Sequence, residues 1–116
     1  MITPSDWKTE IMPEETESFY SGRVLMPHEY KKLMVGLKPN SMEDKWFVYY
    51  QEQKIYFHRS WTGHCIFITE VEDSDSIRLG KVIANNNSNQ FGLKDLEAKK
   101  DMFNKLVDYL IIKKFK

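Results

Sequence analysis

Apolar and polar positions follow two different periods along this chain, and the changes of period mark its elements. From Pro27, apolar side chains fall at Tyr30, Leu33, Met34 and Leu37, the i, i+3, i+4, i+7 spacing of one helical face, and predict a short helix over 27–37. Proline suits the first helical position, while Gly36 and Pro39 close the element. At Lys45 the rhythm changes: Trp46, Phe47, Val48, Tyr49 and Tyr50 are the aromatic and β-branched types that favour strands, and strand signals continue to Ala84. Glu52-Gln53 predicts a tight turn, and a loop of two or four residues gives one register, opposing Tyr49 to Tyr56, Val48 to Phe57, Phe47 to His58 and Trp46 to Arg59. Trp61-Thr62-Gly63 predicts a bulged three-residue hairpin in which Gly63 supplies a positive φ, opposing Ser60 to His64 and Arg59 to Cys65. Polar residues 72–76 turn the third strand into a fourth over 77–84. After the polar loop 85–89, Leu96, Phe103, Leu106, Val107 and Leu110 restore the helical period, with Ile111 at its edge, and predict a closing helix over 93–113.

Residues 1–26 fit neither period. Pro4, Pro13 and Gly22 interrupt them, yet Trp7, Ile11, Met12, Phe19 and Tyr20 are too apolar for a disordered tail. An irregular arm laid on the sheet is expected, with a helical turn over 14–20. The predicted fold is therefore α+β: an antiparallel four-stranded meander sheet (45–84) with a short N-terminal helix and a long C-terminal helix packed on it, in a single domain over 1–116. Alternation sorts the sheet into two faces. Trp46, Val48, Ile55, Phe57, Arg59, Cys65, Phe67 and Val71 share one; Phe47, Tyr49, Tyr56, His58, Ser60, His64, Ile66 and Ile68 share the other. Neither is plainly solvated. The closing helix covers one, which leaves the other to the arm and first helix, a second subunit or a ligand.

Composition narrows the class without choosing a function. A chain of 116 residues with 41% apolar, 14% aromatic and 29% charged residues is an ordinary globular domain. Seventeen basic residues balance seventeen acidic ones, so no overall field favours nucleic acid or an anionic membrane. Locally, 10–17 is acidic and the C-terminal Lys113, Lys114, Phe115 and Lys116 are basic, as a solvated helix end would be. A single cysteine points to a reducing compartment, and neither a signal-peptide pattern nor an apolar run of about 18–20 residues is present. The expected location is the cytoplasm, away from membranes.

The candidate chemistry is concentrated in His58-Arg59-Ser60-Trp61-Thr62-Gly63-His64, a dense set of donors at a hairpin end. Arg59 stands mid-strand opposite Trp46 on an otherwise apolar face. There it can stack on the indole and offer its planar fork to a carboxylate or phosphate, or it can pair internally with Glu43, Asp44 or a helix acid. His58, Ser60 and His64 share the opposite face, where a Ser/His pair could form, although no acid is placed to orient the base. Cys65 and His64 point to opposite faces, so they form no thiolate–imidazole pair. Three histidines and one cysteine without paired spacing make no metal site, isolated glycines make no phosphate loop, and no cofactor is implied.

At EDKWFVYY and YFHRSWTGHCIF the chain resembles a family of small, functionally uncharacterised bacterial proteins with an EDKWF…YFHRSWTG signature. The likeness runs over about 37–67, with a helical lead-in at MPHEYKKLMVGLKPNSM. It implies a bacterial source and distinguishes Asp44, Lys45, Trp46, His58, Arg59, Ser60, Trp61, Thr62 and Gly63, without implying a mechanism.

The function expected first is a non-catalytic binding or accessory module. Its sheet face, with Arg59, Ser60, Trp61, Thr62 and Trp46, recognises an anionic small molecule or an acidic partner segment. The alternatives are a small hydrolase or transferase using His58 or His64 with Ser60, and a protein-interaction or immunity-type protein whose second sheet face is buried in a homodimer.

Overall fold

The computed structural model describes residues 2–113, with side chains to 112. The elements are β1 (Thr16–Tyr20), β2 (Val24–Leu25), α1 (Pro27–Val35), β3 (Trp46–Gln51), β4 (Lys54–Arg59), β5 (Cys65–Asp73), β6 (Ile77–Asn85) and α2 (Leu96–Lys113). The basic side chains from Lys113 to Lys116 lie outside the described part. All strand pairings are antiparallel, in the order β1-β6-β5-β4-β3, with β2 continuing along β6 beyond β1.

The α+β class holds, but the sheet has six strands among the described residues, not four. Strands β3 to β6 form the meander, while residues expected as an arm with a helical turn form β1 and β2 on the outer edge of β6. In β1 only alternate residues are half-buried, and Phe19 alone brings a large apolar group to the core. A period of two carried by one such side chain is too faint to read; the unpaired edge of β6 is what recruits the segment. Gly22, at φ 68°, bends the chain between β1 and β2, and Ser21 and Gly22 keep pairing through the bend by donating to Gly80 and Leu79.

α1 stops at Val35. Gly36 takes φ 86°, and Leu37 leaves the helix to exchange hydrogen bonds with Val48 along the edge of β3. α2 crosses the inner sheet face, where Phe57, Phe67 and Phe103 meet edge to face at 5.5–6.3 Å. These three rings are fully buried, and such pairs add about 0.5–1.5 kcal/mol each beyond area burial.

The β3–β4 hairpin has the register that a two-residue turn demands, from Trp46 opposite Arg59 to Gln51 opposite Lys54. Both turn residues take positive φ, 52° and 62°, which matches the twist of the strands. The β4–β5 hairpin departs from expectation. Arg59 N–H donates to His64 and Gly63 N–H donates back to Arg59, which sets His58 opposite Cys65. One residue further in, Phe57 faces Phe67, a register shifted by one. Ile66 is the extra residue, a β-bulge that reconciles the register chosen by the turn with the register chosen by the core. This corrects the expected pairs Arg59–Cys65 and Ser60–His64. It also moves Ile66 into the inner core and Cys65 to the face of His58 and Tyr49.

That second face is covered by the N-terminal segment. Trp7 stacks on Phe47 at 6.4 Å and donates its indole N–H to the Ser60 carbonyl at 2.7 Å. Glu10 N–H donates to Gly63 at 2.9 Å. Phe47, Tyr49 and His58 are buried within the single chain.

Candidate functional site

The β3–β4 pairing brings the two halves of EDKWF…YFHRSWTG together at one end of the sheet. Ser60 N–H donates to Lys45 and the Ser60 hydroxyl to Asp44, while Trp46 stands opposite Arg59. The Arg59 guanidinium lies 4.9 Å from the centre of the Trp46 ring. It is half-buried, and burial lowers its pKa, although a guanidinium stays charged at any ordinary pH. Among the described residues it has no ion pair or side-chain hydrogen bond; the internal pair with Glu43, Asp44 or a helix acid does not form. Stacking uses the flat face of the fork and leaves its edge of N–H donors free.

Two hollows meet at this arginine. A cleft of about 370 Å³ at the hairpin tip is lined by Lys45, Arg59, Trp61, Thr62, His64 and Gln90. A groove of about 600 Å³ runs from Lys45, Trp46 and Arg59 along α2, past Leu93, Met102 and Leu106. Lys45 and Arg59 line both. No carboxylate lines the tip cleft, whereas Glu43, Asp44 and Asp101 reach the groove.

Of the residues singled out from sequence, Arg59, Trp61 and Thr62 border the tip cleft, and Trp46 supports Arg59 from the groove. Trp61 is 63% exposed and donates its indole N–H to the Met42 carbonyl. Ser60 faces a separate hollow beside Trp7 and Pro39, and its hydroxyl is committed to Asp44 O at 2.7 Å. Gln90 and the α2 side chains carry no site signal in the sequence, because only the loop before α2 and the helix packing bring them to the hairpin.

The expected Ser/His grouping does not assemble. His58 Nδ1 donates to Gly63 O at 2.9 Å, His64 Nδ1 meets the Glu10 carboxylate at 2.8 Å, and Ser60 faces elsewhere. His58 Nε2 is buried with no partner among the described residues, in a hollow of about 240 Å³ that also holds Cys65, Tyr49 and Tyr56 beneath the arm. Burial lowers the His58 pKa, with the Gly63 bond opposing, and pushes the Cys65 thiol up to about 12, so both are neutral at pH 7. No group of three or more His, Cys, Asp or Glu among the described residues is placed to hold a metal ion. Likewise, none of the described helices is long and apolar enough to cross a membrane.

Compared with known protein families, curated proteins and solved structures, the chain matches none.

Proposed function

We propose that this protein is a non-catalytic binding module for an anionic small molecule, taken up in the tip cleft between Arg59, Lys45 and Thr62, with the Trp61 indole at the rim. One observation carries the proposal: a half-buried guanidinium, stacked on Trp46 and without an ionic partner among the described residues, faces a cleft lined by no carboxylate. A partly desolvated charge without a counter-ion favours an anion more than a solvated one does, and the fork suits two oxygens of a carboxylate or phosphate. An acidic segment of a partner protein would answer to the same chemistry.

The hydrolase or transferase alternative has less support, because Ser60 and both histidines are each held by a different group. The homodimer alternative rested on an uncovered second face, and the N-terminal segment covers much of it.

The test is a thermal-shift and titration screen of nucleotides, phosphorylated metabolites and carboxylates. Ligands that raise the melting temperature of the native protein are expected to bind Arg59→Ala about 10- to 100-fold more weakly, the range of one charge-assisted hydrogen-bonded pair, while the variant keeps its folded spectrum. If no anion binds the native protein, or if Arg59→Ala binds equally well, the proposal fails.

A further inference from the structure

The tip cleft and the α2 groove share Lys45 and Arg59, so they form one two-part site whose halves differ in chemistry. The tip half offers Lys45, Arg59, Thr62 and Gln90, and no carboxylate. The groove half is floored by Trp46, Leu93, Met102 and Leu106. Of these, Trp46, Leu93 and Met102 pack against the core while only partly buried, so their outer surfaces form an apolar strip in water. Glu43, Asp44 and Asp101 line the same groove, and the Asp44 carboxylate accepts Asn40 N–H.

We infer that the ligand is an amphipathic anion, with its carboxylate or phosphate head on Arg59 and Lys45 in the tip cleft and an acyl or alkyl chain lying along α2 over Trp46, Leu93 and Met102. The inference rests on the proposed function and adds the ligand's second half. Charge fixes the orientation. Glu43, Asp44 and Asp101 outnumber Lys105 along the groove and disfavour an anionic head there, while a hydrocarbon is indifferent to them; the tip sets Lys45 and Arg59 in a cleft lined by no carboxylate. A groove of about 600 Å³ lies within the roughly 300–1,000 Å³ range of ligand-sized sites. Hydrocarbon placed there also covers side chains that the fold leaves half in water.

Calorimetric titration of the full chain below micelle-forming concentrations provides the test. The probes are inorganic phosphate, acetate, octanoate, dodecanoate, dodecyl phosphate and dodecyltrimethylammonium. Affinity is expected to rise about fourfold for each methylene that enters the groove, so the dodecyl anions bind far more tightly than acetate or phosphate. The two dodecyl anions distinguish a carboxylate head from a phosphate head. Arg59→Met is expected to weaken both of them. Met102→Glu is expected to weaken them while sparing whatever affinity phosphate has, and its melting curve shows whether it folds. Should phosphate or acetate bind through Arg59 with no gain from a chain, the two-part site is wrong and the anion-binding proposal survives. Should no anion bind at all, both fall. Equal binding of the cationic dodecyl compound would show adsorption by the apolar strip alone and would also overturn the inference.

Discussion

His58 shows how one side chain can be fixed in both tautomer and charge by its surroundings. A carbonyl oxygen can only accept, so the 2.9 Å contact with Gly63 O requires the proton on Nδ1 and leaves the lone pair on the buried Nε2. At 2% exposure, a second proton would place a charge beside Tyr49 and Cys65 with little water to solvate it. The folded pKa is therefore below the unfolded value of about 6.5. Above that value neither state is protonated and the group contributes no penalty. As pH falls from there toward the folded pKa, the unfolded chain takes up the proton first and stability drops. Urea-denaturation midpoints of the native protein are expected to fall between pH 7.5 and 5. They should fall less in His58→Gln, which keeps a donor for Gly63 but does not titrate. The Glu10–His64 contact and the other carboxylates are common to both proteins, so equal pH slopes would remove His58 as a source. None of this was legible in the residues HRSWTGH, because the partner of each side chain depends on how the loop closes. Arg59 was legible as a charge opposite Trp46, since that pairing follows from a two-residue turn alone; its lack of an ionic partner was not.

Elements differ in how much of themselves they announce. The β3–β4 hairpin is encoded locally: a polar pair between aromatic runs admits one register, and that register forms. Its turn is nonetheless built from poor residues, since Glu52 and Gln53 both occupy the left-handed region. Left-handed backbone costs about 1–2 kcal/mol for an ordinary residue, part of which a flexible glycine loses again to unfolded-state entropy. Replacing Glu52-Gln53 by Asn-Gly is expected to raise the unfolding free energy by about 1 kcal/mol, read as a higher urea midpoint with unchanged slope. No increase would mean that those side chains make compensating contacts. The β4–β5 hairpin is harder, because its turn and its core ask for registers one residue apart and the bulge at Ile66 satisfies both. Alternation counted straight through such a strand assigns everything on one side of the bulge to the wrong face. That is why Cys65 was expected among Phe57 and Phe67 and lies instead beside His58.

At the scale of the whole molecule, α2, β1 and the loop after β6 are tied together by Lys99, whose side chain is fully buried. Its ammonium donates to Glu17 at 2.6 Å and to Asn86 at 2.9 Å. Glu17→Gln leaves that buried charge with neutral partners and is expected to cost about 2–3 kcal/mol in denaturation experiments, below the full cost for a wholly buried pair because Glu17 is 29% exposed. Lys100→Ala, which breaks the exposed contact with Glu97, is expected to cost under about 0.5 kcal/mol. Comparable losses in the two variants would mean that Lys99 is solvated in solution. The signal for Lys99 was present, since it sits in the stripe of Leu96, Phe103 and Leu106, but a lysine there is normally assigned to the solvated face. By itself the sequence determined the α+β class, the β3–β4 register, the apolar face of α2 and the position of Arg59 opposite Trp46. These depend on contacts close in sequence or on a period repeated over several turns, so they survive without knowledge of the rest. The tertiary structure alone decided the two edge strands, the bulge at Ile66, the separation of Ser60 from both histidines, the burial of Lys99 and the groove beside Arg59. Each depends on which distant segment supplies a hydrogen-bond partner or covers a face, and that competition is settled only when the whole chain packs together.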